Sequence, residues 1–195
     1  MKNLFAFVLL ILLIQFTFAV SDEKRTIGDL NAQIRVDVPI DFRDGGSWYF
    51  GSYKKLKENY ITPGTAKIVV HYAFSTYIDE DGQINENQRR ISEKYAVAVE
   101  CAAEQGKIEE YIDLMYSIWT PNYDNDGRII SIFSPRDDIY SRDDFVYYAS
   151  QLEISVSEFT SCLDNPNTLT KVLLDFSWTI TPDARVNGKL LIPYS

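Results

Sequence analysis

The stretch IRVDVPIDFRDGGSWYF, residues 34–50, decides the fold of this chain. Five apolar side chains between Ile34 and Phe42 alternate with polar residues or proline, which is the period-two pattern of a strand with one buried face. Two glycines follow, and Tyr49 then opens an aromatic pattern with helical spacing. The stretch therefore predicts a strand, a tight turn at Asp44–Ser47 and the N-terminus of a helix.

The chain begins with an apolar run that is typical of a signal peptide. Residues 1–19 contain one basic residue, Lys2, followed by an almost unbroken apolar stretch that ends at Ala19. The pattern predicts a secretory signal peptide cut after Ala19. A retained membrane anchor is the alternative, but the run is short for a span of about 20 residues and lacks a basic stop-transfer flank. We expect a protein that is secreted or lies in the endoplasmic-reticulum or secretory lumen, with no membrane contact after signal removal.

The charge of the chain disfavours two classes of partner. The full sequence has a net charge of −9, and loss of Lys2 with the signal peptide makes it −10. Binding to nucleic acid or to an anionic membrane needs a clustered basic face, so neither partner is expected. The length suits one domain with a substantial core. We predict this domain at residues 34–195, preceded by a flexible polar segment at residues 20–33.

The rest of the pattern predicts an α/β fold. Residues 67–74 are apolar on both faces and follow a helix, so they predict a central strand parallel to the first. A block of helices at about residues 86–176 follows, and the Asn187-Gly188 turn predicts a final hairpin. The first helix is expected to bury Tyr49, Tyr53, Leu56 and Tyr60. The later helices are expected at residues 88–105, 107–119 and 141–152, after a Ser155–Glu158 capping box, and from Pro166 to near Phe176, with a loop at residues 121–138.

The two cysteines, Cys101 and Cys162, allow two interpretations. In an oxidising compartment two thiols in one domain usually pair, and the bond would be a structural staple worth about 2–4 kcal/mol. In a reducing compartment both would be buried free thiols. The signal peptide favours the first interpretation, and the sequence leaves the second open.

Three motifs together resemble the DsbA-like branch of the thioredoxin superfamily. The first is the strand–DGGS–helix stretch, with Phe50 where that family commonly has an aromatic residue. The second is AVECAAEQGKIEEYIDLMYS, Ala98–Ser117, which is similar to the family's helical-insert signature. The third is Thr181-Pro182 followed by a hairpin, similar to the family's cis-proline loop. The resemblance covers residues 34–192 and implies a thioredoxin-like fold with a helical insertion between its βαβ and ββ halves.

The resemblance also bears on activity, because the family's Cys-x-x-Cys pair falls on Asp44 and Ser47. Thiol–disulfide exchange needs an attacking thiolate and a second thiol that resolves the mixed disulfide. A carboxylate and a hydroxyl supply neither, so the resemblance implies a degenerate active site without redox catalysis. Family members with a cysteine in both insert helices often bridge them, which implies a Cys101–Cys162 bond.

The other candidate residues have ordinary structural explanations. Asp44 and Ser47 suit the N-terminus of a helix, where an acid or a hydroxyl is stabilising, although Asp44 could also imitate the charge of a catalytic thiolate. His71 is the only histidine and lies in a predicted strand, so neither a multi-histidine metal site nor a Ser-His-Asp triad is expected. No metal and no cofactor is expected.

The leading hypothesis is a binding protein. In the family, the cis-proline loop pairs with extended peptide, which makes Thr181 and Pro182 candidate peptide-binding residues. We therefore expect extended or unfolded polypeptide as the partner. Two alternatives stay open: an atypical thiol-disulfide oxidoreductase that uses Cys101 or Cys162, and a structural secreted protein without a ligand.

Overall fold

The structure, a computed structural model, contains a five-stranded sheet, a separate two-stranded sheet and six helices among the described residues. It describes residues 22–42, 49–74, 86–117, 120–123, 129–133, 141–178, 185–187 and 189–190. The elements of the first half are β1 (Thr26–Ile27), β2 (Ile34–Ile40), α1 (the consecutive helical turns Tyr49–Tyr53, Lys54–Leu56 and Lys57–Ile61) and β3 (Ala66–Tyr72). They are followed by α2 (Glu86–Glu104), α3 (Ile108–Tyr116), β4 (Thr120–Tyr123), β5 (Ile129–Phe133), α4 (Arg142–Ser150), α5 (Val156–Leu163), α6 (Pro166–Trp178), β6 (Arg185–Val186) and β7 (Lys189–Leu190).

The sheet confirms the predicted topology. Its strand order is β1-β3-β2-β6-β7. Strands β2 and β3 are parallel, from Ile34 opposite Ala66 to Ile40 opposite Tyr72, because α1 connects them as a crossover. Strand β6 is antiparallel to β2, and β7 is antiparallel to β6. Helices α2 to α6 lie between these two halves in the chain, so the thioredoxin-like fold with a helical insertion is confirmed.

The final hairpin is fixed by Asn187. This residue has a φ of 48°, the left-handed conformation that asparagine tolerates better than most residues. Its backbone N–H donates to the carbonyl of Arg35 at 2.8 Å, and its Oδ1 accepts from the Arg35 N–H at 2.8 Å. The turn therefore also ties the hairpin to β2.

The core lies between the sheet and the insertion, where α2 supplies small side chains. Ala98, Ala102 and Ala103 are fully buried on α2, which lets α2 pack closely against its neighbours. The next helix, α3, buries the apolar face that its spacing predicts: Ile108, Tyr111, Ile112 and Met115. Helix α5 begins at the predicted cap, since Ser155 Oγ accepts from the Glu158 N–H at 3.3 Å.

The N-terminal segment corrects one prediction. Residues 20–33 were expected to be flexible because they are polar, but within the described part Thr26–Ile27 pairs antiparallel with β3. Arg25 is buried, with 4% of its surface exposed, and its carbonyl accepts from the Val70 N–H at 3.0 Å. The described part of the segment joins the sheet because it pairs with the free edge of β3 and supplies a buried charge, which polarity alone does not reveal.

A second correction concerns residues 121–138, which were predicted to be loop. Strands β4 and β5 instead form an antiparallel pair, with Thr120 opposite Phe133 and Pro121 opposite Ile132. The preceding helix correspondingly ends at Tyr116 and not at Trp119. Strand β5 has the sequence IISIF, which is β-branched and aromatic, as strands prefer. Pro121 is compatible with this pair because a two-stranded sheet has only edge strands.

Helix α1 departs from the predicted spacing. Tyr49 and Tyr53 are buried as expected, but Tyr60 is 49% exposed and Ile61 takes the buried position instead. The first and last turns of α1 are π-type, with wider turns than an α-helix. The wider turn shifts the buried face by one residue at the end of the helix.

None of the helices that the structure describes is both long and apolar enough to cross a bilayer.

Candidate functional site

The turn Asp44–Ser47 and the segment Thr181-Pro182 lie outside the described residues, so their structure and any cis peptide bond at Pro182 stay predictions. The strands beside them are described. Strand β2 ends at Ile40, and strand β6 begins at Arg185. Asp37 lies opposite Arg185 in the antiparallel β2–β6 pair, so the chain leaves β2 and joins β6 at the same end of the sheet. The described strand ends next to both predicted site segments therefore lie at one end of the sheet.

Tyr116 of the insertion fixes the chain just before the predicted site. Its hydroxyl donates to the carbonyl of Phe42 at 2.7 Å, and both side chains are fully or almost fully buried. The Tyr116 ring also packs against Tyr49, with 5.0 Å between the ring centroids. Through Tyr116, the insertion therefore contacts Phe42 and Tyr49, the described residues on either side of the predicted turn.

The start of α1 is attached to α3 by a polar cluster. Tyr49 donates its hydroxyl to Asp113 at 2.9 Å, and Tyr53 donates to Glu109 at 3.3 Å. Lys57 lies 2.7 Å from Asp113 and 2.8 Å from Glu109. Burial and the nearby carboxylate of Asp113 raise the pKa of Tyr49, so its phenol stays neutral. These groups anchor the helix, and neither phenol is a nucleophile at neutral pH.

A partly buried charge cluster lies on β3 and its neighbours; we call Arg25, Asp37, His71 and Asp175 the His71 cluster. Nδ1 of His71 lies 3.0 Å from Oδ1 of Asp175, and Nε2 lies 3.0 Å from Oδ1 of Asp37. Arg25 forms an ion pair with Asp175 at 2.5 Å. The second carboxylate oxygen of Asp175 accepts from the Tyr72 N–H at 2.7 Å. The cluster thus joins β1, β2, β3 and α6.

The geometry of the cluster fixes the protonation of His71. Burial would lower the pKa of His71, but the hydrogen bonds to Asp175 and Asp37 outweigh it and raise this pKa to about 9. Burial would likewise raise the pKa of Asp37, but His71 and then Arg35 lower it to about 2. Both ring nitrogens donate to carboxylates, so His71 is an imidazolium with no nitrogen left to activate a serine. It is a structural histidine, as predicted.

The sequence analysis missed Asp175 and Arg25 as partners of His71. One local signal was available for Asp175: it is the only charged residue in the apolar run VLLDFSW at the end of α6. A buried acid within an apolar face must have a partner. For Arg25 no comparable signal exists, because an arginine in a polar segment is ordinary.

The structure joins the two cysteines in a disulfide. Cys101 and Cys162 have Cα atoms 5.7 Å apart, and the bond links residues 61 positions apart in sequence. Cys101 is fully buried in the last turn of α2, and Cys162 is partly exposed in the last turn of α5. These are the only cysteines of the chain, so this structure has no free thiol.

Solved structures with a similar fold include BdbD, a DsbA and a thioredoxin-like oxidoreductase. Oxidised BdbD from Bacillus subtilis matches with a TM-score of 0.61 at 13% identity, over 86% of this chain and 83% of that chain. A thioredoxin-like oxidoreductase from Silicibacter pomeroyi DSS-3 matches with a TM-score of 0.55 at 11% identity, over 87% and 83%. DsbA from Chlamydia trachomatis matches with a TM-score of 0.52 at 14% identity, over 86% and 83%.

These similarities identify the fold. The chain has the thioredoxin-like fold of the DsbA-like proteins, including the helical insertion. At such low identities the match does not extend to activity. No protein-family profile and no curated protein matches the chain by sequence.

Proposed function

We propose that this protein is secreted or lumenal, has lost redox catalysis, and binds extended or unfolded polypeptide. The proposed binding region is the end of the sheet where β2 ends and β6 begins, which are the strands next in sequence to the predicted Asp44–Ser47 turn and the Thr181-Pro182 segment. The observation that supports the loss of catalysis most strongly is the position of the only two cysteines, which are bonded to each other within the insertion.

The position of the disulfide is unsuited to thiol exchange. A reactive thiolate is stabilised at a helix N-terminus, where the macrodipole is positive. Cys101 and Cys162 both lie in the last turn of a helix, where the dipole is negative. Attack on the sulfur of Cys162, the more exposed of the two residues, would release Cys101 as a fully buried thiolate, which burial in an apolar core destabilises. Both features make this bond a poor oxidant.

Polypeptide binding is supported by the topology and by the rigid frame around the site. Strands β2 and β6 place the two flanks of the site at one end of the sheet. Tyr116 and the Tyr49–Asp113 contact hold the flanks of the turn. In the DsbA-like family, peptide pairs with the cis-proline loop, and a pre-organised site loses less entropy on binding.

The first experiment tests catalysis by insulin reduction with dithiothreitol as the electron donor. The wild-type protein is expected to give the same rate as the Cys101→Ala/Cys162→Ala variant and as buffer. A wild-type rate above buffer that is lost in this variant would establish the atypical oxidoreductase instead.

The second experiment tests binding to a reduced, carboxamidomethylated polypeptide with a fluorescent label, followed by anisotropy. Saturable binding is expected, and Asp44→Lys and Pro182→Ala should each weaken it several-fold. Glu153→Lys is the matched control, because it makes the same charge reversal at an exposed residue of the α4–α5 connection. No saturable binding, or equal weakening by the control, would favour a structural protein without a ligand at this region.

Export is tested on the protein expressed with its natural N-terminus in a secreting host. Intact mass should correspond to a chain that begins at Val20, the residue after the predicted cleavage position. A protein that retains residues 1–19 and fractionates with membranes would support the anchor.

A further inference from the structure

A second candidate site lies in the helical insertion. A pocket of about 440 Å³ is formed between α2, α4 and the junction of α5 with α6. This volume is within the range of about 300–1,000 Å³ of small-molecule sites. Its apolar lining consists of Val97, Phe145, Leu163 and Leu169, together with Pro166. Such a lining suits the apolar body of a ligand.

The pocket is lined by three cationic and two anionic side chains. Arg142 forms a two-point pair with Asp164, at 2.9 and 2.7 Å, and Glu93 accepts from Arg89 at 3.1 Å. Arg90 and Lys94 also line the pocket and are exposed. Among the residues that the structure describes, neither has a hydrogen bond or an ion pair.

The arrangement of these two cations suits a single carboxylate. Arg90 and Lys94 are four residues apart on α2, so their side chains lie on the same face with Cβ atoms about 5–6 Å apart. Charge-assisted hydrogen bonds from both can reach the two oxygens of one carboxylate. Glu93 and Asp164 lie in the same lining and would repel a dianion such as a phosphate monoester more strongly than a monoanion.

We propose that this pocket binds a small amphipathic monocarboxylate, with its aliphatic or aromatic body on the apolar lining and its carboxylate between Arg90 and Lys94. Charge complementarity supports this ligand, because neither of the two cations has an ion-pair partner within the described part of the chain. Among the described residues, none of α1 or of the five-stranded sheet lines this pocket.

The first test is calorimetric titration of the oxidised protein with decanoate, decanol and acetate at neutral pH. Decanoate is expected to bind saturably with one site per chain, decanol at least tenfold more weakly, and acetate not measurably. Equal binding of decanol and decanoate would overturn the role of the cations. Absence of decanoate binding would overturn the proposal.

Single variants then locate the ligand. Arg90→Gln and Lys94→Gln should each weaken decanoate binding several-fold and leave decanol binding unchanged. Lys55→Gln removes the same charge from an exposed residue of α1 and is the matched control. Equal effects of all three variants would overturn the assignment, because the effect would then come from net charge alone.

A variant whose pocket is filled by a larger side chain tests the proposal independently of charge. Leu169→Trp should block decanoate by occupying the apolar volume, with circular dichroism used to confirm an intact fold. Unchanged decanoate binding in a folded Leu169→Trp variant would place the ligand elsewhere and overturn the proposal. An acidic, apolar peptide that binds in an Arg90-dependent manner while decanoate does not would replace the proposed ligand with a polypeptide.

Discussion

Nδ1 of His71 lies 3.0 Å from Oδ1 of Asp175, and this contact joins the central strand β3 to α6, the last helix of the insertion. The two residues are 104 positions apart in sequence. Asp175 also pairs with Arg25 and accepts from the Tyr72 N–H. One carboxylate therefore connects the N-terminal segment, the sheet and the insertion.

Removal of this carboxylate should destabilise the protein strongly. Asp175→Ala leaves Arg25 and His71 with less compensation for their buried charges, which typically costs about 3–5 kcal/mol. The free energy of unfolding, measured with urea on the oxidised protein, should fall by about that amount. Glu153→Ala, at an exposed residue, should change it by no more than about 0.5 kcal/mol. A small effect of Asp175→Ala would mean that the cluster stabilises little.

The stability of the fold should decrease in mild alkali. The pKa of His71 is raised from 6.5 to about 9, so its stabilisation is fully present below pH 6.5 and is lost as pH rises to about 9. The loss should reach up to about 3 kcal/mol, because each pKa unit corresponds to about 1.4 kcal/mol. His71 is the only histidine, so no other imidazole contributes in this range. The measurement is urea unfolding at several pH values from 6 to 9.5.

His71→Gln provides the control for this pH dependence. The variant should be less stable than the wild type at pH 6, and its stability should change little between pH 6.5 and 9. If the variant shows the same decrease as the wild type, another group causes it.

The disulfide should stabilise the fold without being reactive. The Cys101–Cys162 bond closes a long loop, and such bonds contribute about 2–4 kcal/mol. The Cys101→Ala/Cys162→Ala variant should lose about that amount, and dithiothreitol should destabilise only the wild type. In the native oxidised protein, intact mass should show no alkylation before reduction. Rapid alkylation without reductant would contradict a closed bond.

Two glycines with positive φ should respond differently to alanine. Gly28 has a φ of 98°, and a Cβ there would lie 2.7 Å from Cγ2 of Ile61. Gly106 has a φ of 70°, and a Cβ there would meet nothing within 4 Å. Both substitutions strain the backbone, but only Gly28→Ala also overpacks the core, which costs about 1–3 kcal/mol more. Thermal unfolding of both variants tests this difference, and equal midpoints would contradict it.

Several elements could be predicted because their signals are local. The alternation from Ile34 to Ile40 predicts a strand with one buried face, and the apolar run in β3 predicts a central strand. Ser155 predicts the start of α5, and Asn187 predicts the hairpin turn, because each residue acts on backbone groups close to it in sequence.

The errors share one physical cause, which is dependence on distant partners. Thr26–Ile27 is a strand because β3 offers a free edge, and β5 is a strand because β4 lies beside it. Ile61 replaces Tyr60 in the core because the last turn of α1 is π-type and wider than an α-helical turn. None of these three structural features depends only on residues close to it in the sequence.

For the candidate site, the sequence by itself determined which group is missing. The chain has only two cysteines, Cys101 and Cys162, so no tertiary arrangement can supply a Cys-x-x-Cys pair, and the resemblance implies that Asp44 and Ser47 stand at its positions. The predicted Cys101–Cys162 bond is confirmed, but the tertiary structure alone decided that both cysteines lie at helix C-termini, that His71 is held as an imidazolium, and that Arg90 and Lys94 line an apolar pocket. Composition fixes which groups exist, but their pKa values and partners depend on burial and on contacts between residues far apart in the chain.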